Sequence, residues 1–190
     1  MVYLNDDIEH FDWQAALPLL SEQRRKQCLA FKHEQGRKTC AAAYLLLCEA
    51  LRKEYGIEEP PVFEYGEHGK PVLAGFPHIH FNLSHCQLAA ICVVSDKPVG
   101  VDIETIHPYN ESLVRYTMND DEVQRINGSG LEFTKLWTQK EAVVKLSGRG
   151  ITTDLKTVLS GRVPEDRVLE GSPFDIQTTV TDNYVYSITF

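Results

Sequence analysis

Two carboxylates lie one residue apart in a stretch that otherwise has the composition of a buried strand. The stretch is VGVDIE, residues 99–104, and its acids are Asp102 and Glu104. Alternate side chains of a strand share a face, so both acids point the same way, roughly 7 Å apart. At that distance they repel each other unless a proton or a cation relieves the repulsion. The pair therefore predicts either acid chemistry or a cation site.

A third carboxylate comes from a later stretch with a helical pattern, LWTQKEAVVKLSG. Trp137, Glu141 and Lys145 recur there at every fourth residue, so they share one helix face. A surface Glu-Lys pair beside a half-buried Trp would give the same spacing and contribute only about 0.3 kcal/mol. If the helix instead crosses the end of the 99–104 strand, three carboxylates converge. Mg²⁺ suits such a site because it takes hard oxygen ligands and keeps room for substrate phosphates.

A phosphate substrate follows from the magnesium interpretation. Lys145 would neutralise phosphate oxygens, and Ser84 and His85, at the end of the alternating run IHFNLSH, would add hydrogen-bond donors. The carboxylates do not by themselves identify a reaction. They allow phosphoryl or nucleotidyl transfer, hydrolysis of a phosphate ester, or a metal site without catalysis.

The elements that must position these residues begin with two helices and a set of strands. Ser21 followed by EQRRKQCLAF predicts one helix, and residues 37–55 predict a long buried helix that stops at Gly56. From residue 62 onward the apolar period is two, which is typical of strands. The runs LAAICVVS and VGVDIE, joined by the turn DKP, predict a hairpin.

The second half of the chain repeats this order. A short helical pattern within residues 105–130 leads to a helix over 132–148, and the runs TVLSGRV, FDIQTTV and NYVYSITF predict strands. Each half thus combines a long helix with short strands, which indicates an α+β fold. No low-complexity linker divides the halves, so we expect them to pack closely.

Composition and charge disfavour several classes of protein. A chain of 190 residues with 43% hydrophobic content can bury one sizeable core. No apolar run approaches the length of about 20 residues that a membrane helix needs, and the first residues lack a signal-peptide pattern, so we expect a cytoplasmic protein without a membrane partner. The net charge of -8 disfavours a nucleic-acid partner. The five cysteines are odd in number and lack CxxC spacing, which disfavours disulfides and zinc.

Four motifs together resemble those of the 4'-phosphopantetheinyl transferases, in particular the broad-specificity class that activates surfactin synthetase. They are HGKPVL at 68–73, FNLSHC at 81–86, GVDIE at 100–104 and LWTQKEAVVKLSGRG at 136–150. GVDIE alone is a weak pattern, but its place between F-N-x-S-H and W-x-x-K-E-A-x-x-K makes the set specific. An arginine that leads into an apolar helix, Arg37, extends the resemblance toward the N-terminus.

The resemblance implies an enzyme that moves the phosphopantetheine arm of coenzyme A to a serine of an apo acyl or peptidyl carrier protein and releases adenosine 3',5'-bisphosphate. This is holo-[acyl-carrier-protein] synthase activity. The implied α+β fold has two pseudo-symmetric halves, each a long helix packed on a small, mainly antiparallel sheet. Residues 1–98 would bind the nucleotide of coenzyme A, and residues 99–190 would carry the metal and catalytic residues. Such a pseudo-dimer is expected to work as a monomer.

The resemblance also implies roles for the acids and the lysine. Asp102, Glu104 and Glu141 would hold Mg²⁺, with Mn²⁺ left open, against the pyrophosphate of coenzyme A. Asp102 and Lys145 would also lie against coenzyme A itself. Glu141, or a water that it holds, would take the proton from the carrier serine, while Lys145 steadies the phosphates.

The remaining candidates would contact the nucleotide or the carrier. His85 and Arg37 would contact the phosphates of the nucleotide end, and the basic run from Arg24 would reach the 3'-phosphate. The carrier would dock on residues 105–130. The residues that would frame the adenosine are Gly69, Lys70, Pro71 and Ser84.

Two other interpretations stay open. One is a different Mg²⁺-dependent enzyme, a phosphate-ester hydrolase or nucleotidyltransferase, which would use an activated water in place of a carrier serine. The other is a non-catalytic module that binds coenzyme A or a carrier protein. A binding module has no need of the full set of three acids and Lys145, so the transferase interpretation is favoured over both.

Overall fold

The protein is described from a computed structural model that covers residues 1–66, 68–148, 155–159, 168–169, 172–173 and 175–190. Its helices are α1 Trp13–Ala16, α2 Glu22–Ala30, α3 Glu34–Tyr55, α4 Glu111–Thr117, α5 Asp120–Ile126 and α6 Gly130–Ser147, with a 3-10 helix at Leu17–Leu19. Its strands are β1 Val2–Asn5, β2 Phe63–Tyr65, β3 Pro71–Leu73, β4 His80–His85, β5 Ala90–Ser95, β6 Gly100–Thr105, β7 Val168–Leu169, β8 Ser172–Pro173, β9 Ile176–Val180 and β10 Tyr184–Thr189.

The first half is built on the long helix α3. This helix begins at Glu34 rather than at the predicted residue 37, and it ends as predicted at Gly56, which takes the left-handed conformation (φ 67°) that glycine adopts without strain. Its Ala- and Leu-rich middle is buried against an antiparallel sheet of strand order β1-β5-β4. Tyr44 is fully buried there, and its hydroxyl donates a hydrogen bond to the Pro61 carbonyl (2.7 Å).

The second half repeats the topology of the first. The first half runs β1, α3, β4, β5 with sheet order β1-β5-β4, and the second runs β6, α6, β9, β10 with sheet order β6-β10-β9. In both sheets the last strand of the half lies in the middle and pairs with antiparallel neighbours. The predicted α+β fold with two pseudo-symmetric halves is therefore confirmed.

The predicted hairpin between LAAICVVS and VGVDIE is wrong. These runs form β5 and β6, which belong to different sheets. Both edges of β5 are already paired, one with β1 and the other with β4, and β6 pairs with β10. The short turn therefore carries the chain from one sheet to the other. The period-two pattern identified two strands correctly, but it does not specify a strand's partner.

The segments between the core elements differ from the prediction in two further places. The helical pattern within residues 105–130 is two helices, because α4 ends at Thr117 and Asn119 caps the start of α5. In TVLSGRV, residues 157–159 form a turn instead of a strand, and Leu159 has a positive φ of 58°, which a strand does not allow. The rest of that run lies outside the described residues.

The two halves meet where β4 lies beside β6. The side-chain oxygen of Asn82 accepts a hydrogen bond from the Val101 amide (3.2 Å), and that of Ser84 accepts one from the Ile103 amide (3.3 Å). Behind β6, Gly100 lets α6 approach closely, because a Cβ at this position would collide with the backbone of Ala142. Among the described residues, no helix has both the length and the apolarity needed to cross a membrane.

Candidate active site

The centre of the candidate site is an ion pair between β6 and α6. The Lys145 ammonium donates to Oδ1 of Asp102 at 2.6 Å. Asp102 is 4% exposed, whereas the Lys145 side chain is 29% exposed, so the lysine reaches a buried acid from the edge of the site. Thr189 strengthens the same junction, because its hydroxyl donates to the Ala142 carbonyl on α6. The helix that carries Glu141 and Lys145 thus packs on the strand that carries the paired acids.

A serine from the first half completes this cluster. The hydroxyl of Ser84 donates to Oδ1 of Asp102 at 2.8 Å and accepts from the Lys145 ammonium at 2.8 Å. Three elements, β4, β6 and α6, therefore converge on one oxygen. The other carboxylate oxygen, Oδ2 of Asp102, is buried and has no hydrogen-bond partner within the described part of the chain. A bare buried oxygen is costly unless something binds it.

The two other acids lie within the electrostatic reach of Asp102. Burial, and next the charge of Asp102, raise the pKa of Glu104 to about 7, although Lys145 opposes the shift. Burial and the charge of Asp102 also raise the pKa of Glu141. The negative charge of Glu141 also contributes to the raised pKa of Glu104. The charge of Asp102 therefore disfavours the anionic forms of both glutamates, as expected for acids that share a site.

A divalent cation fits this donor set in chemistry. Carboxylate oxygens are the ligands that Mg²⁺ prefers. A cation would both occupy Oδ2 of Asp102 and offset the burial and the negative charge of Asp102 that raise the pKa of the two glutamates. In the described ranges, however, no group of three His, Cys, Asp or Glu side chains is arranged to hold a metal ion. To share one ion, the carboxylates of Asp102, Glu104 and Glu141 would have to move closer together. In the structure, Lys145 supplies the positive charge beside Asp102.

His85 lies next to this cluster at the end of β4. It lines a cavity of about 300 Å³ that also holds Arg24, Phe31, Tyr65 and Pro71. The His85 side chain is exposed, yet desolvation by the surrounding chain, followed by the charges of Lys145 and Arg24, lowers its pKa. The neighbouring cations make this end of the cavity suitable for an anion such as a phosphate.

The predicted adenosine turn lies against the end of α6. Gly69 has a φ of 78°, which favours glycine, and the Lys70 ammonium donates to the Leu146 carbonyl in the last turn of the helix (3.0 Å). A cation is favourable there because the carbonyl end of a helix is negative. Pro71 lines the His85 cavity and a neighbouring cavity of about 410 Å³. The turn thus connects the first half to α6.

Arg37 stands apart from the other predicted residues. Its guanidinium lies over the Trp13 ring at 5.0 Å, and its Nε donates to the Phe31 carbonyl at 3.0 Å. It lines neither of these two cavities. The structure therefore brings Ser84 together with Asp102 and Lys145, places the other acids, His85 and the Lys70 turn near them, and holds Arg37 elsewhere by local contacts.

Two features of the site have weak sequence signals. Asn82 holds β6 through the Val101 amide, but its position in the alternating run IHFNLSH showed only that it shares a face with Ser84. Lys140, next to Glu141, is fully buried and pairs with Glu122 of α5 at 2.7 Å. Lysine and glutamate side chains in helices are normally exposed to solvent. The sequence therefore gives no sign that these two are buried and paired, and only the structure shows it.

Comparisons with known proteins agree with these motifs. Residues 98–188 match the family model described as the 4'-phosphopantetheinyl transferase superfamily. A Bacillus subtilis protein named 4'-phosphopantetheinyl transferase is 26% identical over 171 residues, which cover 87% of this chain and 76% of that relative. The Bacillus pumilus protein 4'-phosphopantetheinyl transferase psf-1 is 32% identical over 155 residues, which cover 78% of this chain and 66% of that relative. The chain thus spans about two thirds to three quarters of these relatives.

Proposed function

The chain belongs to the 4'-phosphopantetheinyl transferase superfamily, and from this premise we propose that it transfers the phosphopantetheine group of coenzyme A to a serine of an apo acyl or peptidyl carrier protein. The observation that carries the proposal is the convergence of Ser84, Asp102 and Lys145 beside two further acids and a cavity that contains Arg24 and His85. A site of this kind offers acids for a metal and cations for phosphates.

We propose that Asp102, Glu104 and Glu141 hold Mg²⁺, with Mn²⁺ as the other candidate. The bound ion would polarise the attacked phosphorus and neutralise the departing phosphate. The bare oxygen of Asp102 and the raised pKa values of the two glutamates support this assignment. Residues 99–190 would thus supply the metal and catalytic groups.

The protein's own side chains would move the proton and steady the charge. In the step, the carrier serine oxygen bonds to the β-phosphorus of coenzyme A, and the bond from that phosphorus to the adenosine 3',5'-bisphosphate breaks. The Glu141 carboxylate would take the serine proton, directly or through one water. Its raised pKa makes it a stronger base than an exposed glutamate. Lys145 would contact the phosphate oxygens, since its side chain is partly exposed at the edge of the site.

The first half, residues 1–98, would bind the nucleotide of coenzyme A. The cavity beside His85 contains Arg24 and aromatic side chains, which together suit phosphates and a base. Gly69, Lys70 and Pro71 would frame the adenosine at the wall of this cavity. Arg37 remains a candidate for the 3'-phosphate, although it would have to leave its contacts with Trp13 and Phe31.

The carrier would dock on α4, within residues 105–130. Tyr116 is 81% exposed and Leu113 is 39% exposed, and their spacing places them on one side of the helix. Arg115 beside them is paired with Glu111 (2.9 Å). An apolar docking patch suits a chain whose net charge of -8 would repel an acidic carrier.

We propose that the protein acts as a cytoplasmic monomer.

The test incubates the protein with coenzyme A, Mg²⁺ and an apo carrier, and chromatography measures the adenosine 3',5'-bisphosphate that is released. The same assay is run with a carrier whose acceptor serine is replaced by alanine. Release should require the serine, whereas a hydrolase would release nucleotide without it. Asp102→Ala and Glu141→Ala should lower the rate by about 10²-fold or more while the protein stays folded. Glu132→Ala, on the exposed side of the same helix, is the matched control. Full activity in folded Glu141→Ala would contradict its role.

A further inference from the structure

The contact between β4 and β6 is made by side chains in place of a backbone ladder. In the described part of the chain, β4 pairs with β5 and β6 pairs with β10, and no backbone ladder joins β4 to β6. Instead, Asn82 accepts from the Val101 amide and Ser84 accepts from the Ile103 amide, each across nineteen residues. The equal offsets show that the two strands run parallel at this contact. Two side-chain oxygens thus take the place of strand carbonyls.

The hydroxyl of Ser84 has no hydrogen-bonding capacity left. A serine hydroxyl has one donor and two acceptor sites. The donor is used by Oδ1 of Asp102, and the acceptors are used by the Lys145 ammonium and the Ile103 amide. Ser84 is also 7% exposed. A contact with adenosine, which the family resemblance implies for Ser84, would require one of these bonds to break.

The same contacts distinguish the two oxygens of Asp102. Oδ1 receives both the Ser84 hydroxyl and the Lys145 ammonium, so its lone pairs are occupied. Oδ2 is buried and has no partner among the residues that the structure describes. A carboxylate held in this way presents one fixed, desolvated oxygen, which is what a hard cation needs from a monodentate ligand.

We propose that Ser84, fixed with Asn82 at the contact between the halves, is a positioning residue that orients Asp102 so that Oδ2 binds the divalent cation. This inference rests on the proposed function, since it concerns the same metal site. It assigns Ser84 to the metal through Asp102 instead of to the adenosine. It also explains why a residue of the first half belongs to the metal site of the second.

The experiment measures metal and coenzyme A separately. Mn²⁺ binding is measured by electron paramagnetic resonance without coenzyme A, and coenzyme A binding is measured by calorimetry in EDTA. Ser84→Ala should bind Mn²⁺ about tenfold more weakly, the effect expected when a partner of a metal ligand is lost. Its affinity for coenzyme A should change less than twofold. Ser84→Thr, which keeps the hydroxyl, should restore Mn²⁺ binding.

Ser187→Ala is the matched control. Ser187 is also a buried strand serine and lies directly opposite Asp102 on β10, but its hydroxyl bonds to Thr138 (2.8 Å) and Thr178 (3.0 Å) instead of to the carboxylate. Its loss should lower the melting temperature without weakening Mn²⁺ binding. If Ser84→Ala does not fold, Ser84→Cys takes its place, because a thiol is a weak donor that still fills the site.

Three results would overturn the inference. They are a loss of coenzyme A affinity in EDTA with unchanged Mn²⁺ binding, equal Mn²⁺ binding in wild type and the Ser84 variants, and no Mn²⁺ binding by the wild type. The wild type's activity with carriers is a separate measurement. If the Ser84 variants lose Mn²⁺ as expected while the wild type modifies no carrier, the positioning role stands and the transferase proposal fails.

Discussion

Asp102 and Glu104 share one face of one strand, yet their surroundings make them different acids. Asp102 has the Lys145 ammonium at 2.6 Å and a serine hydroxyl at 2.8 Å. Burial, and next the charge of Asp102, raise the pKa of Glu104 to about 7. The spacing of the two acids was visible in the sequence because a strand has a period of two. Their partners were not, because Ser84 and Lys145 come from other elements.

The raised pKa of Glu104 predicts a pH dependence of stability in the EDTA-treated protein. The pKa of an unperturbed glutamate is 4.5, against about 7 in the folded protein. Between these values the unfolded chain loses the proton while the folded chain keeps it, so this group lowers the free energy of unfolding as pH rises. The free energy of unfolding of Glu104→Gln, relative to that of the wild type, should therefore increase with pH across this range and level off above it.

Urea denaturation from about pH 4 to about pH 8 would measure this difference. Glu132→Gln, an exposed acid on α6, is the control, and its difference from wild type should stay nearly constant. A Glu104→Gln difference that is also independent of pH would contradict the raised pKa.

The two candidate arginines predict different affinities for two forms of the ligand. Arg37→Ala should weaken the binding of coenzyme A about tenfold and that of 3'-dephospho-coenzyme A less, if Arg37 leaves Trp13 to reach the 3'-phosphate. Arg24→Ala is compared in the same way, because Arg24 already lines the cavity. Calorimetry with both ligands measures the effect, with Arg52→Ala, at the far end of α3, as the control. Equal losses for the two ligands would remove that arginine from the 3'-phosphate site.

The packing of β6 on α6 is the contact between elements that places Asp102 beside Lys145. Gly100 has no side chain, and a Cβ there would press against the Ala142 carbonyl and lie 2.7 Å from the Leu146 amide nitrogen. Gly100→Ala should therefore move the strand and lower the free energy of unfolding by about 1–3 kcal/mol. Gly66→Ala is the control, since its nearest new neighbour is 3.8 Å away. Similar urea midpoints for the two variants would contradict the close contact.

The pair between Lys140 and Glu122 joins α6 to α5 in the interior. Both side chains are at most 3% exposed, and Lys140 also donates to the Leu155 carbonyl (2.7 Å). Glu122→Gln or Lys140→Met should cost about 3–5 kcal/mol, because each leaves a buried polar partner uncompensated. The double variant with Glu122→Leu and Lys140→Met should recover much of that loss. Thermal unfolding measures these changes, with Glu132→Gln on the surface as the control. Equal losses of stability in Glu122→Gln and Glu132→Gln would refute the prediction.

The sequence predicted the long helices better than the pairing of the strands. Local signals define a helix: Gly56 and Gly148 end α3 and α6 in the left-handed conformation, as the pattern indicated. Pairing depends on distant residues. The run that forms β6 was expected to pair with β5, but β10, more than eighty residues later, takes that place. The contact between Asn82 and β6 also has no local signal, because side chains make it.

At the scale of the whole molecule, the candidate site lies where two copies of one topology meet. The first half supplies Ser84 and His85, and the second supplies Asp102, Glu141 and Lys145. Neither half contains the full set, so the packing of one half on the other creates the site. The motifs could be read in the sequence one by one, but their convergence required the fold.

The most direct test of the account is the intact mass of an apo acyl carrier protein and an apo peptidyl carrier domain after incubation with this protein, coenzyme A and Mg²⁺. We expect the carrier to gain the mass of one phosphopantetheine group, and we expect EDTA to abolish the gain and excess Mg²⁺ to restore it. A carrier mass that stays unchanged, while the protein binds coenzyme A, would contradict the transferase account and favour a binding module.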